Sequence, residues 1–97
     1  MTGPLDDIDS VIQPPKRLAA MAVLAHSTAT DFPFLKNHLQ ISDSDLSKQM
    51  AALITAGYVT STRARGRGSM TTYRITKSGR RAFDAHVEAL QRLVSFG

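Results

Sequence analysis

The chain has 97 residues, 42% of them hydrophobic and 21% charged, with no cysteine and a net charge of +4. That length supports one core, and the missing thiols exclude a disulfide framework, a thiolate zinc site, an iron–sulfur cluster and a cysteine nucleophile. No apolar run reaches the ~20 residues that span a bilayer. The acidic start (Asp6, Asp7, Asp9) is also the reverse of a signal peptide's, so a cytoplasmic protein away from membranes is expected.

Leu5, Ile8 and Ile12 stand at helical spacing, which predicts a short amphipathic segment ended by Pro14-Pro15. A helix from Pro15 to Ala25 follows, with proline in its first turn and Leu18, Met21, Ala22 and Ala25 as its apolar stripe. His26-Ser27-Thr28-Ala29-Thr30 reads as a loop, because short polar side chains compete for backbone hydrogen bonds. Asp31 before Phe32-Pro33 predicts the N-cap of a second helix running to about Leu39. It should bury Phe34, Leu35 and one of His38 or Leu39.

Ser42 with Asp45 three residues on is a capping-box pattern that opens a third helix. Gly57 stops it, in the left-handed position that follows many helices. Leu46, Met50, Leu53 and Ile54 share its inner face. The other face presents Ser44, Asp45, Lys48, Ala51, Ala52 and Thr55, with Ser47 and Gln49 at the flanks. Side chains that are small or hydrogen-bonding let a helix lie close to another surface.

Past Gly57 the period changes to two. Tyr58–Arg63 and Met70–Thr76 read as strands of a β-hairpin around Gly66 and Gly68. Tyr73 and Ile75 point to the core, whereas Val59 shares its parity with Arg63, Arg65 and Arg67. The hairpin must therefore turn away from the core after about Ser61, leaving its tip in solvent. A last helix from about Gly79 to Ser95 carries a seam of Phe83, Val87, Leu90 and Val94, widened by Leu93.

Charge is unevenly placed. Between residues 58 and 81 stand Arg63, Arg65, Arg67, Arg74, Lys77, Arg80 and Arg81 with no acidic residue, so this stretch alone exceeds the net charge of the chain. Such a cluster sets up a field suited to a polyanion. Arg80 and Arg81 begin a helix, where the dipole disfavours them, which implies either a functional use or pairing with Asp84.

Three helices, a basic hairpin and a further helix make a mainly α protein with a small β-hairpin (α+β), in the order of a winged helix-turn-helix. Pro15-Lys16-Arg17-Leu18 resembles the Pro-x-Arg-Leu opening of ArsR-type repressors. Leu46-Ser47-Lys48-Gln49-Met50, followed by Leu53-Ile54-Thr55-Ala56-Gly57-Tyr58-Val59, resembles the recognition helix and first wing strand of MarR- and ArsR-like regulators. Thr71-Thr72-Tyr73-Arg74-Ile75-Thr76-Lys77-Ser78-Gly79-Arg80 is similar to the second wing strand and helix start of small MarR-related regulators.

The resemblance implies a homodimeric transcriptional regulator, a repressor, that binds double-stranded DNA in a sequence-specific way. Residues 42–56 would enter the major groove and residues 58–76 would follow the backbone or an adjacent minor groove. The candidate DNA contacts are Ser42, Ser44, Asp45, Ser47, Lys48 and Gln49 on the helix and Arg63, Arg65, Arg67 and Arg74 on the wing. Ser42 and Asp45 have the competing role of helix caps. Residues 1–13 and 79–96 are the candidate dimerisation elements, through Leu5, Ile8, Ile12, Phe83, Val87, Leu90 and Val94, because a three-helix core cannot cover both apolar stripes.

Other readings are weaker. Asp84-Ala85-His86 resembles the start of an ArsR metal motif, but its second half is missing, so no metal or other cofactor is expected. His86 beside the seam would instead make the dimer pH-sensitive. The dimer cleft of MarR-like relatives suggests a small-molecule effector that nothing here identifies. A protein-interaction module would not need the basic hairpin, RNA recognition would call for aromatics among its arginines, and no enzymatic constellation is present.

Overall fold

The computed structural model describes residues 3–66 and 68–95. Its elements are α1 (Pro15–Ala25), β1 (Thr30–Asp31), α2 (Phe32–Leu39), α3 (Asp43–Thr55), β2 (Val59–Arg63), β3 (Thr71–Ile75) and α4 (Lys77–Val94). Each helix starts where its first amides find a partner or are absent. Pro15 opens α1; the Asp31 carboxylate accepts from the Phe34 amide at 2.9 Å and Ser42 Oγ from the Asp45 amide at 3.1 Å. Helix α4 begins two residues before the expected Gly79, because Thr76 caps it. Thr76 Oγ1 accepts from the Gly79 amide at 2.9 Å and donates to the Gly57 carbonyl at 2.7 Å. Gly57 has φ 81°, the left-handed conformation that ends α3.

The sheet is antiparallel in the order β1-β3-β2. Strand β1 corrects the reading of residues 26–30 as loop alone: Thr30 pairs with Tyr73 and Asp31 with Thr72. Two residues are too short to show a periodic signal, and their partner lies forty residues away. In the hairpin, Val59 pairs with Ile75 and Arg63 with Thr71. Val59 is buried and residues 60–63 are all exposed, so the hairpin leaves the core after one residue of β2.

Met21 and Leu24 of α1, Leu35 of α2, Leu46, Met50 and Leu53 of α3, Val59, Tyr73 and Phe83 form the core. Phe34 was expected there. It is 53% exposed, stacked on His38 with ring centroids 5.8 Å apart, because Leu35 is the residue that α2 turns inward. Ile54 likewise sits at the edge of the inner face of α3 and is 39% exposed. No helix among the described residues is long and apolar enough to cross a membrane.

The N-terminal segment forms hydrogen-bonded turns instead of a regular helix. Asp9 is its anchor. One carboxylate oxygen accepts from the amides of Val11 (2.8 Å) and Ile12 (3.2 Å), and the other accepts from the Tyr58 hydroxyl at 2.6 Å. The Asp9 amide donates to His86 Nδ1 at 3.1 Å. Held this way, Ile12 is completely buried. Ile12 and Phe83 were expected at a subunit interface; both lie inside the core of the chain, with Asp9 folding the segment back onto α4 and Tyr58.

His86 is fully buried, and its Nε2 has no partner among the described residues. Burial pushes its imidazole below the ordinary value, with the Asp9 carboxylate opposing the shift. The Tyr58 hydroxyl, bonded to Asp9, is pushed up to about 12. Gly79 packs directly on the Tyr58 carbonyl, with no room for a side chain.

Gly79→Ala should therefore force α4 away from the Tyr58 backbone just before β2 and cost roughly 1–3 kcal/mol, the usual range for overpacking. An unchanged thermal midpoint would contradict this packing. His86 supplies a pH dependence. Below the ordinary histidine value of 6.5 the unfolded chain takes up a proton that the folded chain resists, so stability should rise with pH through the window beneath 6.5 and level off above it. Denaturant titrations of the parent and His86→Gln across that window check it; equal slopes in the two would rule out His86 as the source.

Candidate nucleic-acid interface

Leu46, Met50 and Leu53 bury one side of α3. A second side is tied to α1. Lys16 Nζ donates to Asp45, Gln49 Nε2 donates to the other Asp45 oxygen at 2.8 Å, and Arg17 Nε donates to Gln49 Oε1 at 2.9 Å. The hydrogen bonds from Lys16 and then Gln49 hold the Asp45 carboxyl below its ordinary value. The side that remains carries Ser44, Ser47, Lys48, Ala51 and Thr55, all exposed. Lys48 has no hydrogen-bond or ion-pair partner among the described residues.

The six helix candidates thus separate into three groups. Ser44, Ser47 and Lys48 lie on the open face. Ser42 is the N-cap, its hydroxyl 3.3 Å from that of Ser44. Asp45 and Gln49 face α1 instead, and the reciprocal half of a capping box is not formed, because Asp45 is occupied by Lys16 and Gln49. Lys16 and Arg17 had no sequence signal for this role: they meet α3 across 29 and 32 residues.

Beside the open face, a cleft of about 430 Å³ runs between the first turn of α2, α3 and the hairpin, with Pro33, Asp43, Ser47, Arg63, Met70 and Thr71 among its walls. Arg63 makes one long contact, to Ser69 Oγ at 3.5 Å. Arg65 is exposed and without a partner among the described residues; Arg67 lies outside them. Gly66 and Gly68 take φ of 102° and 70°, which shape the tip. Asp43 would place a negative charge in this cleft, but Lys36 pairs with it at 2.8 Å.

Arg74 stands apart from Arg63. It alternates with Tyr73 and so projects from the other side of the sheet, where it donates to the Thr28 carbonyl at 3.3 Å. Arg80 donates to the Ala25 carbonyl at 3.0 Å, covering an unpaired acceptor at the end of α1, and makes no ion pair with Asp84. Both arginines brace the connection from α1 to β1.

A different surface gathers the remaining apolar candidates. Leu5 is 68% and Val94 80% exposed, and Ile8, Val87, Leu90 and Leu93 are half-buried. A cleft of about 620 Å³ runs between the N-terminal segment and α4, lined by Leu5, Ile8, Pro14, Leu90 and Leu93 among others. Among the described residues no group of three His, Asp or Glu side chains is placed to hold a metal, and His86 faces the core.

Residues 16–94 match the winged helix DNA-binding domain family. Among solved structures, the chain is similar to a transcriptional regulator homologue from Pyrococcus horikoshii OT3, with a TM-score of 0.82 and 19% identity over 87% of this chain and 84% of that one. It is also similar to NadR in complex with 4-hydroxyphenylacetate (TM-score 0.73, 18% identity, 94% of this chain and 62% of that one). A third is HlyU from Vibrio cholerae N16961 (TM-score 0.65, 23% identity, 86% and 83%). Among curated proteins there is no match. With helix, wing and core in this arrangement, the chain belongs to the winged helix DNA-binding domain family.

Proposed function

We propose that this protein is a cytoplasmic, homodimeric repressor that binds double-stranded DNA in a sequence-specific way, with α3 in the major groove and the wing on the adjacent backbone or minor groove. The observation that carries this reading is the open face of α3: short side chains and one unpaired lysine, flanked by an arginine-bearing hairpin. Short side chains let the helix approach base edges, and Lys48 has the chemistry to donate to guanine O6 and N7. Ser44 and Ser47 suit either a base or a phosphate. Arg63, Arg65 and Arg67 supply phosphate contacts and are suited to a narrow minor groove. Bound over a promoter, such a protein would obstruct polymerase.

The dimer rests on the surface formed by Leu5, Ile8, Val87, Leu90, Leu93 and Val94. A second copy on a two-fold axis would cover it and set two recognition helices about 34 Å apart, one turn of DNA. The cleft beside this surface would admit a small-molecule effector; NadR, a structurally similar protein, was solved with the small molecule 4-hydroxyphenylacetate.

Titration of a selected duplex should show log affinity falling linearly with log salt, by about 0.9 per phosphate neutralised. Arg65→Ala should weaken all duplexes alike and reduce the slope by about one. Lys48→Ala should instead relax preference at one base pair by roughly 1–3 kcal/mol; a uniform loss would place Lys48 on phosphate. Leu90→Glu should sediment as a monomer, and a persistent dimer would put the interface elsewhere.

A further inference from the structure

Gln49 is the side chain on α3 with the best chemistry for reading adenine, because its amide can accept from N6 and donate to N7 together. Asp45, one turn earlier, has the chemistry to accept from cytosine N4. Both are instead turned toward α1, with a partner inside the chain on each polar atom. The Gln49 oxygen accepts from Arg17 Nε at 2.9 Å and its NH2 donates to Asp45 at 2.8 Å. A guanidinium only donates and a carboxylate only accepts, so this amide has one possible orientation. Both groups that a bidentate adenine contact requires are engaged inside the subunit. The second Asp45 oxygen is occupied by Lys16. Arg17 is itself fixed from behind, where Nη1 donates to the Val11 carbonyl at 3.4 Å, two residues past the Asp9 anchor.

We infer that Arg17 is a specificity-determining positioning residue that touches no base. Clamped between Val11 and Gln49, it keeps Gln49 and Asp45 turned toward α1. That leaves Lys48 as the one long side chain of α3 that reads bases. The inference rests on the DNA-reading role proposed for α3. It narrows that role to Ser44, Ser47 and Lys48. The fork matters chemically: Arg17 holds two acceptors on two different elements with separate N–H groups, which an apolar side chain of similar length cannot do.

The test is selection of bound sequences from a random duplex pool by four proteins: the parent, Gln49→Ala, Arg17→Met and the double variant. Gln49→Ala should select the parent's sequence with unchanged base preferences, since its amide reads nothing. Arg17→Met should release the amide and gain a preference for adenine at one further position, by about tenfold. The double variant should lose that gain. Loss of a base preference in Gln49→Ala alone would overturn the inference, and so would a folded Arg17→Met that selects like the parent. Should Arg17→Met fail to fold, Gln49→Ala still decides the matter. If the parent itself selects no sequence, the DNA-reading role falls and the inference with it, an outcome distinct from either reversal.

Discussion

A helix can offer one face to a groove only if its other faces are held. In this protein everything depends on how α3 is gripped. Leu46, Met50 and Leu53 are buried against the other helices, and Asp45 and Gln49 are tied to Lys16 and Arg17 at the start of α1. The apolar contacts supply most of the stabilisation, since burying a Leu or Met side chain is worth about 1.5–3 kcal/mol, whereas an exposed ion pair contributes little. The polar contacts do something else. They orient α3 and turn Asp45 and Gln49 away from the open face.

The same logic sorts the arginines. A cluster of positive charge in sequence is not a cluster in space. Arg74 and Arg80 lie on the far side of the sheet or at the end of α1, where each covers a backbone carbonyl that would otherwise be unpaired. Arg63 and Arg65 stay on the hairpin. Lys36 answers Asp43, the carboxylate among the described residues that lines the cleft between helix and hairpin. The field that a polyanion would meet is thus made by few residues, with Lys48 on the open face of α3 and Arg63 across the cleft from that helix.

What could be read without coordinates was what local chemistry decides. Asp31 and Ser42 announced their helices, Gly57 its left-handed turn, and the parity of Val59 against the arginines required the hairpin to leave the core. What could not be read depends on partners far along the chain. Thr30–Asp31 becomes a strand only because Tyr73 and Thr72 are there to pair with it. Ile12 and Phe83, apolar and at helical spacing, look the same whether they face a neighbour or a core. The anchor at Asp9, joined to Tyr58 and His86, decides it. For the candidate interface, the placement of Ser44 and Lys48 on the open face followed from helical geometry. The turning of Asp45 and Gln49 toward α1 did not, since a glutamine at a helix flank carries no mark of its hydrogen-bond partner.

At 10.5 kDa the protein suits backbone-amide NMR. Titration with a duplex that it selects tests the central claim most directly. The largest shift changes should fall on Ser44, Ser47, Lys48 and Ala51 and on the hairpin around Arg63 and Arg65, while residues of α4 beyond Phe83 change little. Changes concentrated along α4 and the N-terminal segment, with α3 silent, would contradict that claim.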